Sequence, residues 1–332
     1  MRAEPLTGPS RPLAGLAAEP LLEISGLWVA AHSRSGGVPL LRGVELVVPR
    51  GARVGVVGES GSGKSMTASA ILGLLPSGVV RTEGSIAFGG RELTTLSERE
   101  LQGIRGREIG IVYQNAVGSL NPLLTVGEQI ANVCRAHTEV TRGEAWERAV
   151  ALLDALGIAD AEVRARSHPH QLSGGMAQRA VIATALICDP SLLIADEPTT
   201  GLDATIQAQV LEVMADSARE RGAALLLISH DLAVIRAMSE IVAVLYAGVV
   251  LEIGDTGDVL SDPLNPYTRG LVRSLTDESG IAFIPGRIPE PGAIGNQCPF
   301  ADRCELVSDV CRAEPPALRE LRPGRWVACH NL

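Results

Sequence analysis

Gly58-Glu-Ser-Gly-Ser-Gly-Lys-Ser65 is a complete G-x-x-x-x-G-K-S phosphate-binding loop, and it dictates what must surround it. Such a loop works between a buried strand and a helix. Upstream, Ala52-Arg-Val-Gly-Val-Val57 is a short apolar run that predicts the strand. Downstream, Met66 to Leu75 predicts a helix stopped by Pro76. The glycines at Gly58, Gly61 and Gly63, with Ser60 and Ser62 between them, let successive backbone N–H groups close around phosphate oxygens. The helix that opens at Met66, directly after Lys64 and Ser65, adds a favourable dipole at its N-terminus. Lys64 can reach the β- and γ-phosphates, and the Ser65 hydroxyl can ligate Mg²⁺. The loop specifies a nucleoside triphosphate and leaves open what its energy drives.

The 332 residues allow one large domain or two moderate ones. With 46% hydrophobic and 20% charged residues, the chain is a folded globule and not a disordered one. A net charge of −9 without a Lys/Arg run excludes a nucleic-acid footprint. Apolar runs such as Ile241–Leu251 are too short to span a bilayer. Residues 1–20, rich in Pro, Ala and Gly, predict a loose tail and not a signal peptide. A cytosolic setting follows, in which six cysteines stay reduced.

Leu21–Val29 predicts an edge or sandwich strand, Gly36-Gly37 a turn, and Leu40–Val48 a second strand joined by Pro49-Arg-Gly51 to the strand before the loop. Gly84–Gly90 and Glu108–Tyr113 predict two more strands. From about 120 to 175 the pattern is helical, with a capping box at Thr141 and Glu144 and one apolar face of Ala145, Ala149, Leu152, Leu153 and Leu156. Met176 to Cys188 predicts a further helix. Ser191–Ala195 and Ala223–Ile228 are almost uninterruptedly apolar, as central strands of a parallel sheet must be. After about residue 257 the texture turns to Pro, Gly and Cys, which predicts a small appended domain.

Strand 191–195 delivers Asp196-Glu197 at its C-terminal end, the edge where ligands sit in open α/β sheets. Asp196 is suited to hold Mg²⁺, and Glu197 to polarise the attacking water. The second apolar strand ends in Ser229-His230, which puts an imidazole at the same edge, within reach of a γ-phosphate. Leu172-Ser-Gly-Gly-Met-Ala-Gln178 exposes backbone N–H groups ahead of a helix and so makes a second phosphate cradle. One active site needs one cradle; a second makes sense if it caps a nucleotide held by another subunit.

With Gln114, Asp196-Glu197, Gly201-Leu-Asp203 and His230 in this order, the chain resembles ABC-transporter ATPase subunits over about residues 21–256. The resemblance implies an α/β P-loop core with an antiparallel β subdomain and a helical insert over about 115–178 that touches membrane subunits. It also implies a head-to-tail dimer, with two ATPs sandwiched between phosphate loop and opposing Ser173, Gly174 and Gly175, and with Asp203 beside them. Gln114 would sense the γ-phosphate and join Ser65 and Asp196 at Mg²⁺. The family stacks adenine on an aromatic residue where this chain has Ala31, between Trp28 and His32.

The tail resembles that of oligopeptide/dipeptide-type importers. Asp262-Pro-Leu-Asn-Pro-Tyr-Thr-Arg-Gly-Leu271 carries Asn265 where that subfamily commonly has His, and Gln114–Pro122 resembles its Gln-loop with Asn115-Ala116 in place of Asp-Pro. Cys298, Cys304, Cys311 and Cys329 match its four-cysteine extension over 257–332, which in some members holds an iron–sulfur cluster. Spacing alone leaves zinc and a 4Fe–4S cluster nearly even; the resemblance favours the cluster. Cys134 and Cys188 fall in the ATPase part and are expected in the core. The implied partners are a second, different ABC ATPase, two transmembrane permease subunits and an extracytoplasmic solute-binding protein, with the chain peripheral on the cytoplasmic face of the cell membrane. A nickel or metal-chelate importer is the alternative within transporters. A soluble ABC ATPase acting on ribosomes or DNA is disfavoured by the single cassette and the acidic balance.

Overall fold

The computed structural model describes residues 19–32, 37–276 and 284–332. The tail expected over 1–20 lies outside them except for residues 19 and 20, as does Gly36 of the expected turn. Strands β1 (Pro20–Ala31) and β2 (Val38–Pro49) pair antiparallel. In β1, Leu22, Ile24, Leu27 and Val29 are buried, the skip at Gly26 being a register shift in the pairing. β1 is not an edge: it lies between β2 and a later strand. Pro49-Arg50-Gly51 joins β2 to β3 (Arg53–Val57), yet the two belong to different sheets. Apolar alternation alone does not say which sheet a strand enters.

Helix α1 (Lys64–Ile71) is shorter than the Met66–Leu75 expected, beginning two residues earlier and ending before Gly73, whose φ of 63° no helix continues through. Next come β4 (Val79–Phe88), β5 (Arg91–Glu92), α2 (Glu98–Ile104) and β6 (Ile109–Val112). The antiparallel sheet has the order β2-β1-β4-β5.

Four helices follow: α3 (Ala116–Ser119), α4 (Val126–His137), α5 (Arg142–Ala155) and α6 (Ala161–Ala165). Capping boxes at Thr125/Glu128 and Thr141/Glu144 satisfy the first amides of α4 and α5. The expected face of α5 is buried at all five positions. Cys134 is buried in this core and Cys188 packs half-buried against it.

After α7 (Gly174–Leu186) come β7 (Leu192–Asp196), α8 (Ala204–Glu220), β8 (Ala224–Ser229), α9 (Leu232–Met238), β9 (Ile241–Tyr246) and β10 (Val249–Asp255). Every residue of β7 and β8 is buried. Their side chains divide by parity: Leu193, Ala195, Leu225 and Leu227 enter one core, and Leu192, Ile194, Ala224, Leu226 and Ile228 the other. That two-sided burial explains runs without alternation.

The chain continues through α10 (Thr256–Ser261), α11 (Pro266–Thr276), α12 (Asp309–Ala313), β11 (Leu318–Arg322) and β12 (Arg325–Ala328). The second sheet runs β11-β12-β10-β9-β3-β8-β7-β6, parallel from β9 to β6. β12 pairs with β10, so the last residues extend the same sheet that carries the phosphate loop. The buried Glu252 carboxylate accepts from Arg325 Nη2 at 2.7 Å and from the amides of Leu264 and Asn265 at 3.0 Å each. A buried charge needs such full pairing.

Candidate functional site

β3 ends at Val57 and hands the chain to the phosphate loop. A Cβ added at Gly58 would stand 2.0 Å from the Leu245 carbonyl oxygen, so the loop can pass β9 only with glycine there. Gly63, with φ +105°, caps α1 against Leu41. Lys64 Nζ donates to the carbonyls of Gly58 (2.8 Å) and Glu59 (3.0 Å). Burial depresses the Lys64 pKa, while Glu197, Asp196 and Glu59 act the other way. The Ser62 hydroxyl is buried without a partner. A cationic ammonium resting on loop carbonyls and an orphaned hydroxyl fit a site that takes up phosphate oxygens.

β7 delivers Asp196, which accepts a 3.0 Å hydrogen bond from Ser65 Oγ and whose pKa burial raises. Two hard oxygens side by side at the phosphate loop are the donor set Mg²⁺ takes alongside phosphates and water. Glu197 follows with φ +46°, a left-handed conformation that strains a side-chain-bearing residue. Its amide is fixed to the Ile228 carbonyl at 2.9 Å. Gln114 Nε2, just beyond β6, donates to its Oε2 at 2.9 Å, and His230 Nδ1, just beyond β8, stands 3.2 Å from its Oε1. Three neighbouring strand ends thus converge on one carboxylate.

Gln114, Glu197 and His230 line a cavity of about 590 Å³ that also includes Ser60, Gly61, Gly63, Lys64, Ser65 and Met66. Neither Trp28 nor His32 lines it; its apolar wall comes from Leu40 and Pro291. The Arg42 guanidinium holds the Pro291 and Ile294 carbonyls at 3.0 and 2.9 Å, tying that wall to β2. No signal in the sequence marks this contact, because its partners are about 250 positions apart.

Ser173 caps α7 through the Met176 amide (3.4 Å), and Asp203 caps α8 through the Ile206 amide (3.0 Å). Gly174 and Gly175 pack close to Leu202 and Ile206. None of Ser173, Gly174, Gly175 and Asp203 lines the cavity of the chain's own phosphate loop.

Cys298, Cys304, Cys311 and Cys329 surround a second, small cavity with Phe300 and Asn265. All four are free thiols. Burial, foremost, pushes the Cys298 thiol up to about 11, with the three neighbouring cysteines adding to it. The Leu306 amide donates to Cys304 Sγ at 3.4 Å. Among the described residues no three His, Cys, Asp or Glu side chains are arranged to hold a metal ion. The four thiols line one small cavity, but the expected ligand set for a cluster is not formed among the described residues.

A family model described as "ABC transporter" matches residues 41–200, and one described as "Oligopeptide/dipeptide transporter, C-terminal region" matches 251–311. The chain is 41% identical over 322 residues to the oligopeptide transport ATP-binding protein OppD of Escherichia coli (strain K12), covering 96% of this chain and 95% of that one. It is 42% identical over 314 residues to the oligopeptide transport ATP-binding protein AppD of Bacillus subtilis (strain 168), covering 93% and 96%. Among solved structures it is similar to the ATP-binding cassette MJ0796 in a dimeric post-hydrolysis state bound to ADP and Pi, with a TM-score of 0.64 and 28% identity over 71% of this chain and 98% of that one.

Proposed function

This chain belongs to the ABC transporter family of ATP-binding subunits, in its oligopeptide/dipeptide-importer branch, and from that we propose that it hydrolyses ATP to drive peptide uptake through partner membrane subunits. The observation that carries the reading is the cavity shared by the phosphate loop and the Gln114–Glu197–His230 group, with Asp196 hydrogen-bonded to its Ser65.

In the proposed mechanism Lys64 exchanges the Gly58 and Glu59 carbonyls for β- and γ-phosphate oxygens, and the amides of 60–66 close around the phosphates. Ser65 and Asp196 would hold Mg²⁺, which supplies neutralisation of phosphate charge. Glu197 accepts the proton of the attacking water, and Gln114 and His230 keep its carboxylate aimed. Ser173, Gly174, Gly175 and Asp203, which stand outside their own cavity, complete the site of a second and different ATPase.

Helices α3–α6 form the insert that meets the permeases. Between α4 and α5 lies a groove of about 810 Å³ lined by Leu124, Ala131, Arg135 and Trp146, with Leu123 beside it 83% exposed. No described helix is long and apolar enough to cross a membrane, so attachment to the cytoplasmic face runs through such contacts. The test is purification of the assembled transporter from membranes. Expected are this chain, one different ATPase and two permeases, with ATPase activity stimulated by a peptide-loaded binding protein. Two copies of this chain with no other ATPase would contradict the pairing, and stimulation by nickel chelates alone would contradict the substrate.

In this reading residues 257–332 are a C-terminal domain in which Cys298, Cys304, Cys311 and Cys329 would hold a 4Fe–4S cluster. Each of four irons would take one thiolate, and the cluster would supply cross-linking in a segment with little periodic core. The thiols' convergence on one cavity and the Leu306 amide aimed at Cys304 Sγ support it. Anaerobic purification should give iron and acid-labile sulfide in equal, near four-per-chain amounts. Stoichiometric zinc without sulfide would end the iron–sulfur reading.

A further inference from the structure

Glu59, the second residue of the phosphate loop, is held from three sides. Its N–H donates to the Tyr267 hydroxyl at 3.0 Å, and its carbonyl accepts from Lys64 Nζ at 3.0 Å. Both carboxylate oxygens accept from Arg303 Nη1, at 3.1 Å each. The Arg303 side chain is only 5% exposed, against 29% for Glu59. The rest of its guanidinium is also committed. Nε donates to the Pro285 carbonyl (2.8 Å), Nη2 to that of Ile284 (2.9 Å), and Nη1 also reaches the Tyr246 hydroxyl (3.2 Å). Its carbon centre lies 5.7 Å from the Tyr246 ring and 5.9 Å from that of Phe300. Tyr246, Tyr267 and Phe300 pack on one another with centroids 4.6 to 5.3 Å apart.

A cation buried this completely is costly to desolvate, and apolar packing would serve cohesion better. What the arrangement does serve is the loop. When Lys64 turns to a phosphate it releases the Gly58 and Glu59 carbonyls, and the loop loses two internal ties just as it must keep its shape. The ties from Arg303 and Tyr267 do not depend on Lys64 and persist through that exchange. We infer that Arg303 and Tyr267 are positioning residues which, through Glu59, hold the phosphate loop in its nucleotide-binding shape, so that ATP affinity is set partly from the C-terminal segment. The inference rests on the ATP-site reading above.

The test measures the Kd of Mg-ATP by calorimetry on the full chain, with melting curves to establish folding and turnover measured at saturating ATP. Arg303→Ala strands the Glu59 carboxylate, and because Glu59 is partly solvated the expected loss of affinity is on the order of tenfold. Arg303→Lys should recover part of it. Arg303→Met combined with Glu59→Gln, which removes both charges, should recover more than half. Tyr267→Phe, which deletes one hydroxyl, should weaken binding about two- to fivefold and carries the test if Arg303→Ala does not fold. In each folded variant kcat should change less than Kd; a merely structural defect would lower the active fraction and leave Kd alone. Unaltered ATP affinity in folded Arg303→Ala, or in Tyr267→Phe, overturns the inference, as does a double variant whose losses simply add. Failure of the unmodified chain to bind ATP would instead overturn the ATP-site reading.

Discussion

Glu197→Gln should slow ATP turnover by about 10²–10⁴-fold, the range for removing a general base, while ATP still binds. The replacement keeps the side chain's size and its ability to accept from Gln114 Nε2, so the site's geometry is retained. What is lost is a carboxylate able to take a proton. The backbone supports this assignment independently: Glu197 sits at φ +46° with its amide fixed on Ile228, strain that a solvated surface glutamate has no reason to carry. Phosphate release from a single turnover, compared with retained nucleotide on the same sample, separates chemistry from binding. Near-normal hydrolysis in material free of contaminating ATPase removes Glu197 from the role.

Lys64→Ala should act at the earlier step and weaken ATP binding by about 10²–10⁴-fold, as expected for losing two hydrogen bonds to charged oxygens at roughly 1.5–3 kcal/mol each. The loss has a second source in the free protein. Without Nζ the Gly58 carbonyl loses its side-chain donor and the Glu59 carbonyl keeps only the Ser62 N–H, so the loop is held less firmly before any nucleotide arrives. Equilibrium binding of Mg-ATP checks it, and the two variants should differ in kind: Glu197→Gln traps nucleotide and Lys64→Ala fails to take it up. A Lys64→Ala chain with unchanged Kd would show that the amides alone hold the phosphates.

Local spacing carried much of the site. The phosphate loop, the Asp196-Glu197 pair after an apolar run, and His230 after another are legible because a strand's end and the turn beyond it are neighbours in sequence. The capping boxes at Thr125 and Thr141 are local for the same reason. The run from Met66 to Leu75 overstates the end of α1, because Gly73 stops the helix three residues before Pro76. Apolar alternation over Leu21–Val29 fits an edge or a sandwich strand alike, and only pairing with both β2 and β4 puts β1 inside its sheet.

By itself, then, the sequence determined a nucleoside-triphosphate site on a parallel α/β sheet, a second glycine cradle, and a cysteine-bearing tail. Only the tertiary structure decided that Gln114, Glu197 and His230 meet, since that requires β6, β7 and β8 to lie side by side. It alone decided that Ser173–Gly175 stand outside their own chain's cavity, and that Leu40 and Pro291, not Trp28 or His32, form its apolar wall. The ion pair from Arg303 to Glu59 spans 244 positions and has no periodicity or motif to announce it. The physical reason is common to all of these. Backbone preference and apolar spacing act over a turn or a strand, whereas the order in which strands pair is settled by burying all their faces at once.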